Sequence, residues 1–490
     1  MSLGRRLVGD TIVYGLAFGL ARALSFALLP ILARVFDAGE YGAYDLSIAG
    51  SRALLVLSLW GMDTTIGLAL QGRDEGGQRR VTGSFLLAGA AWSALVALAA
   101  GISAPWLSER LFGDASHRDL VLLGAGLAMA QSMTLATVSI VKWRREPRRY
   151  LLLTVGSVAA ASALGAASAL LRGGDGTAGV LAGLLLGTAA FVPVGLAVCR
   201  RYFGGGVSLG DMGKAARLGL PFVAIVASEY LLFPVFVRLL LVGSTGLAGV
   251  GVFGAANTIC LAIMLVNDSF ASAWWPYAIS EEGASRVRED THRVMRLYAF
   301  LLMLPVAGVT LAAEPLVRVL LGSGALAAAA ALIGPIALAY WIKSVRQNSS
   351  VALLASGHIW ARAGLNFTAF VASLAFAYVL TPRAGVAGAA WGFAAGEGFG
   401  LLIQMAVLRR FWNDRLDLLS LAIMAGAFLA LFWLSAMTAF AAGWAQFLLR
   451  SAIGLGFLGL LLVSLPRADI RAIAAALREF GRSLRRRLPG

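Results

Sequence analysis

Charge is what this chain has least of. Of its 490 residues, only 13% are Asp, Glu, Lys or Arg, about half the share of a soluble globular domain. Acids are the scarcer sign, 25 against 41 Lys and Arg. Cysteine is nearly absent: Cys199 and Cys260 rule out a disulfide framework, and neither they nor His117, His292 and His358 have metal-site spacing. Both thiols lie within or at the ends of apolar segments and read as free, buried groups. No GxxxxGK[ST] run occurs, which argues against ATP hydrolysis by this chain. Clustered acid–base pairs and large loops on the outer side are also missing, which argues against a membrane glycosyltransferase or polymerase. We therefore expect no enzyme, no catalytic residues, no metal and no cofactor.

What is present is apolar. Hydrophobic residues make up 59% of the chain, and the mean hydropathy is +0.81. Segments of about 20 apolar residues recur along the whole length, enough to cross a bilayer as helices. Backbone groups in hydrocarbon must be satisfied within their own segment, and the alternation of a β-barrel is lacking. The expected fold is an all-α integral membrane protein of about fourteen helices. They run near 11–34, 42–68, 81–104, 119–141, 150–171, 176–199, 216–242, 250–275, 295–313, 326–356, 361–381, 384–408, 419–437 and 444–465. The first segment has no small-residue cleavage site after a short apolar stretch, so we expect it to be retained as a helix.

The net charge of +16 raises the question of nucleic acid, but its placement points elsewhere. With the N-terminus in the cytoplasm, 29 Lys and Arg fall on the cytoplasmic side and 6 on the other, with 6 more inside helices. That is a positive-inside distribution, with an even number of spans and both termini cytoplasmic. No nucleic-acid partner is expected.

An internal repeat is visible at an offset of 204 residues. GLAFGLARALSFALLPILAR (15–34) lies over GLPFVAIVASEYLLFPVFVR (219–238), pairing Gly15, Pro30 and Arg34 with Gly219, Pro234 and Arg238. YGAY (41–44) then faces VGVF (250–253) after a small length change. Two pseudo-symmetric six-helix lobes follow, 1–208 and 209–410, related by an axis along the membrane normal. A helix pair (411–465) and a basic tail (466–490) lie outside the repeat. Lobes of this kind leave a cleft and can rock to give alternating access, which suggests transport.

Several charges stand inside the apolar segments. Arg22 lies about eleven residues from either end of the first, and an arginine near the bilayer centre costs about 3 kcal/mol on insertion scales. It reads either as a structural partner for a carboxylate or as a cation lining the cleft. Asp45, Arg52 and Asp63 are spaced by 7 and 11 residues, which places them on one face of a single helix. Lys343, Arg346, Gln347 and Ser350 share a face of the tenth helix, unless that helix ends earlier and the two cations are cytoplasmic. Glu229, Asp268 and Glu397, with Asp45 and Asp63, are candidates for ion coupling or structural pairing, and Asn257 shares a stripe with Asp268. Arg450 reads as structural or near an interface. Arg22, Arg52, Lys343 and Arg346 would together make the cleft cationic, and arginine forks suit phosphate oxygens. An anionic, phosphorylated substrate is the expectation.

RALSFALLPILARVFDAGEYGAYDLSIA (22–49) resembles the opening of bacterial polysaccharide-transport flippases of the multidrug, oligosaccharidyl-lipid and polysaccharide (MOP) exporter superfamily. LGLPFVAIVASEYLLFPVFVRLLL (218–241), VGVFGAANTI (250–259) and LNFTAFVASLAFAYVLTPRAGVAGAAWG (365–392) extend the likeness over about residues 10–410. The resemblance implies a V of two six-helix lobes in the bacterial cytoplasmic membrane. It implies movement of an undecaprenyl-diphosphate-linked oligosaccharide from the inner to the outer leaflet, with membrane lipid and polysaccharide polymerases or glycosyltransferases as partners. In the related lipid II flippases, arginines on the first two helices line the cavity, where Arg22 and Arg52 have comparable places, and the extra C-terminal helix pair also resembles that branch. A lipid II flippase is thus one alternative. A cation-coupled drug exporter of the superfamily is another, disfavoured by the surplus of buried arginine. The tail places Ile470, Ile473, Leu477, Phe480 and Leu484 at helical spacing among seven arginines, which suits either an amphipathic helix on an anionic leaflet or a frayed basic end.

Overall fold

The computed structural model describes residues 3–70, 72–171, 176–204, 206–227, 232–279, 281–322, 324–412, 417–438, 443–466 and 469–470. The basic tail beyond 470 therefore lies outside the described residues. Among the described residues there are helices and no strands. Twelve helical stretches among the described residues are long and apolar enough to cross a membrane by length and composition. The chain is a multi-pass membrane protein, and the count of fourteen is not confirmed. Large apolar side chains are exposed along these helices, among them Leu98, Leu171, Leu186, Leu402 and Val463, as a lipid-facing surface requires.

The chain divides into two compact units. The first holds residues 1–259, 315–332 and 359–396. Its helices are α1 (Leu3–Val35), α2 (Ala38–Leu59), α3 (Met62–Leu70), α4 (Glu75–Ile102), α5 (Ala104–Phe112), α6 (Arg118–Trp143), α7 (Pro147–Leu171), α8 (Gly176–Cys199), α9 (Leu209–Val226), the first part of α10 (Leu232–Ile279), most of α12 (Ala313–Leu321), α15 (Ile359–Ala384) and the early part of α16 (Val386–Trp412). Lipid tails are as apolar as leucine, so these helices associate by close packing of small residues rather than by expelling water. α7 against α8 is the most extensive contact, and α6 packs on α8, α2 and α4. Leu127, Ile140, Leu153 and Leu181 are fully buried within the unit.

One break was not expected. The segment 42–68 is two helices, because Trp60 (φ 48°) and Gly61 (φ 68°) adopt left-handed backbone and end α2. Asp63 therefore belongs to α3, and the single-helix stripe of Asp45, Arg52 and Asp63 does not hold; the Asp63 side chain lies outside the described residues. In α10, Gly246 has φ 71° and ψ −176°, open only to glycine, and divides the helix in two between the expected segments 216–242 and 250–275.

The second unit holds residues 260–314, 333–358 and 397–490. It takes in the later part of α10, α11 (Glu281–Leu311), most of α13 (Ala330–Ser349), α14 (Val351–Ala355), the later part of α16 (Val386–Trp412), α17 (Leu418–Met437) and α18 (Gly443–Val463). α17 and α18 pack on each other, and both touch α11. Arg450 of α18 pairs with Glu314 at 2.9 Å and donates to the Leu311 carbonyl at 3.3 Å, which bears out its structural reading.

Candidate substrate-binding site

Helix α2 starts from a capping box: the Asp37 carboxylate accepts from the Glu40 N–H at 2.8 Å and the Glu40 side chain accepts from the Asp37 N–H at 3.1 Å. Two turns in stands Asp45, 8% exposed, and two turns further Arg52. Asp45 is already paired. Arg238 of α10, 4% exposed, grips its two oxygens through Nε at 2.6 Å and Nη2 at 3.0 Å. A fork-to-fork pair of this kind satisfies both charges where water is scarce.

Arg238 was read from the sequence only as a repeat-matched residue, not as part of a site. The signal was the doubled Pro-x-x-x-Arg. In the structure, Arg238 donates Nη1 to the Pro234 carbonyl at 2.7 Å, and Arg34 donates Nη1 to the Pro30 carbonyl at 2.7 Å. The remaining donors diverge: Arg34 reaches the Val319 carbonyl at 3.0 Å, whereas Arg238 reaches Asp45.

The second repeat match also has a structural counterpart. A Cβ at Gly42 would lie 1.9 Å from the Leu247 carbonyl oxygen, and one at Gly251 would lie 2.0 Å from the Ala38 carbonyl oxygen. Each glycine thus faces the carbonyl four residues before the other, a reciprocal crossing of α2 and α10 in which backbones touch. One turn along, Gly254 leaves the space that the Asp45 carboxylate occupies.

Arg52 differs from its neighbours. It is exposed and, among the described residues, forms no ion pair. It lies within electrostatic reach of Arg238, Asp45, Tyr44 and Arg22. Arg22 is half-buried on α1, with its guanidinium 5.0 Å from the centroid of the Phe18 ring one turn earlier. The first unit therefore gathers Arg22, Arg52, Arg238 and Asp45, three cations and one acid.

Lys343 and Arg346 are placed otherwise. Both lie within α13 of the second unit and are buried, which excludes an earlier helix end. Arg346, 1% exposed, donates Nε to Glu397 at 2.9 Å, and Glu397 is 5% exposed. Gln404 donates to the Arg346 carbonyl and to Ser349 Oγ, both at 2.8 Å, closing the polar face of α13 inside the unit. This geometry makes Arg346 half of an interior ion pair with Glu397, not a water-facing ligand. Lys343 is enclosed with it. Asp268, half-buried on α10, accepts from Asn267 at 3.2 Å. Glu229 lies outside the described residues. Arg362, one of the 29 cations that the topology count places on the cytoplasmic side, is a buried residue of α15.

Known proteins were compared with the chain. The family described as "Polysaccharide biosynthesis protein" matches residues 31–330. The chain belongs to that family. No curated protein matches. Among solved structures, a lipid II flippase in an inward closed conformation aligns over 91% of this chain and 98% of its own, at 12% identity and a TM-score of 0.73. An inward-facing multidrug resistance transporter of the MATE family covers 80% and 94%, at 17% identity and 0.65. A MOP superfamily transporter from Pyrococcus furiosus, whose binding pocket is described as reversed in polarity, covers 83% and 95%, at 14% identity and 0.56. The fold expected from the resemblance, that of the MOP superfamily, is therefore the fold observed.

Proposed function

We propose that the chain is not an enzyme and moves a polyprenyl-diphosphate-linked oligosaccharide between leaflets of the bacterial cytoplasmic membrane, for polysaccharide biosynthesis, with both termini in the cytoplasm. The observation that carries this reading is Arg52. It is an exposed cation on α2, and the nearby acid Asp45 is already held by Arg238. Arg22 and Arg52 take the diphosphate oxygens, the sugar rides in water, and the prenyl chain stays in lipid. Asp45 is a structural partner in this scheme, and Lys343 and Arg346 are not ligands. The transmembrane potential supplies energy: a dianion leaving a negative interior gains about 4–5 kcal/mol per 100 mV.

The test is flipping of lipid-linked oligosaccharide in proteoliposomes. Arg52→Ala and Arg22→Ala should each lower the rate at least tenfold, since charge-assisted contacts to phosphate contribute about 1.5–3 kcal/mol. An inserted, folded Arg52→Ala protein working at the normal rate removes the reading. A second reading, transport of lipid II, is favoured by the likeness to a lipid II flippase over 91% of the chain. The same vesicles loaded with each substrate separate the two.

A further inference from the structure

Three loops at one end of the first unit are tied into a single body. Residues 71–80 lead into α4, residues 142–149 join α6 to α7, and residues 200–217 join α8 to α9 and begin it. Arg73 grips the Asp211 carboxylate at 2.8 and 3.2 Å, and Arg144 donates to Gln78 Oε1 at 2.6 Å. The Ser208 N–H donates to Ser84 Oγ at 2.9 Å. Glu146 accepts from Arg149 at 2.8 Å and also from Arg201 and from the Tyr202 hydroxyl.

These ties use the acids. The three loops hold twelve Lys and Arg but only Asp74, Glu75, Glu146 and Asp211. Glu146, through Arg201 and Tyr202, and Asp211, through Arg73, bridge between loops, and Asp74 caps α4 by accepting from the Gly77 N–H at 3.0 Å. Arg79, Arg80, Lys142, Arg145, Arg148 and Arg200 remain exposed. Arg145 is held outward on a left-handed turn at φ 56°, an unusual backbone for a side chain of its size. Insertion topology requires only a number of loop cations; it gives no reason to lock the loops by their acids.

The loops adjoin the ends of four candidate spans, 75–102, 115–143, 147–171 and 176–202, which sets them at headgroup height. Trp143, 42% exposed beside Lys142, and Tyr202 add the amphipathic aromatics of a membrane interface. We propose that this rigid basic collar is a binding surface for anionic phospholipid headgroups of the leaflet it faces, whatever cargo the protein carries.

The test uses the full chain in nanodiscs containing about one anionic phosphatidylglycerol to three phosphatidylcholines, with spin-labelled versions of each lipid reporting motional restriction. Phosphatidylglycerol should associate about fivefold more strongly in about 50 mM salt, and that preference should fall at least twofold in about 0.5 M salt. In the Arg79→Gln, Arg80→Gln, Arg145→Gln, Arg148→Gln variant it should fall at least threefold. Equal association of both lipids, a preference indifferent to salt, or a folded variant with full preference overturns the proposal. Should the variant fail to insert, the salt titration of the native protein decides. The readout contains no cargo, so it fails or stands apart from the flipping assay.

Discussion

Asp45 and Arg238 show how one buried pair sets the charge of its neighbourhood. Removing one member leaves the other charge uncompensated away from water, at about 3–5 kcal/mol. Asp45→Asn or Arg238→Gln alone should therefore lower the melting midpoint of the purified protein by several degrees, and the double variant should recover most of it. The transport readout should diverge from the stability readout. In Arg238→Gln, Asp45 is released toward Arg52, the cation assigned to the diphosphate, so flipping should fall by more than the melting shift explains. It should return in the double variant. Equal loss in the single and double variants would show that the pair does nothing beyond holding the fold. Arg22 and Arg52 were legible as charges within helices, because a charge in a 20-residue apolar run is conspicuous. The separation of Arg52 from Arg346 was not. Both look alike in sequence, and only the position of Glu397, 51 residues on, makes one an interior pair.

Among the elements, helix ends were harder to read than helices. The apolar run 42–68 has no proline, so nothing in its hydropathy marks the stop at Trp60 and Gly61; the left-handed backbone there is set by α3 turning against α9, where Gly61 lies on Gly219. Loops were legible by charge but not by their joints. Glu146 shows what such a joint adds: burial pushes its carboxyl up, but the Tyr202 hydroxyl and the Arg149 and Arg201 guanidinium groups outweigh that and hold it below its usual range. Arg73 holds Asp211 down in the same sense. A carboxyl whose pKa is lowered by folding stabilises the fold above its unfolded value, about 4.3 for Glu, and that stabilisation is lost as pH falls through the folded value. Hydrogen exchange in 142–149 and 200–204, corrected for intrinsic rates, should thus be level from about pH 5 to 8 and rise below about pH 4. Glu146→Gln should exchange faster at neutral pH and converge with the native protein in acid. A native profile that rises on the alkaline side instead would put the joint elsewhere.

At the scale of the molecule, composition alone identified a membrane-spanning helical protein, and the segments 22–49, 218–259 and 365–392 carried the resemblance to the superfamily whose fold is observed. What pattern could not supply was the meaning of YGAY over VGVF. Hydropathy does not register a glycine's missing side chain, yet Gly42 and Gly251 are where α2 and α10 meet backbone to backbone. Alanine at either position would put a methyl group inside a carbonyl oxygen's radius and wedge the helices apart. Gly42→Ala and Gly251→Ala should each cost several degrees of melting midpoint, and two such wedges at one contact should cost less than their sum. Additive losses would show that the two sites are independent. The reciprocity has a mechanical consequence. If the molecule rocks to give the alternating access expected of its lobes, the point where two matched helices cross through their backbones travels least, as the pin of a pair of scissors does. The Asp45–Arg238 pair sits one turn from that pin, so its carboxylate and guanidinium can stay joined while distant ends of the same helices swing through large arcs.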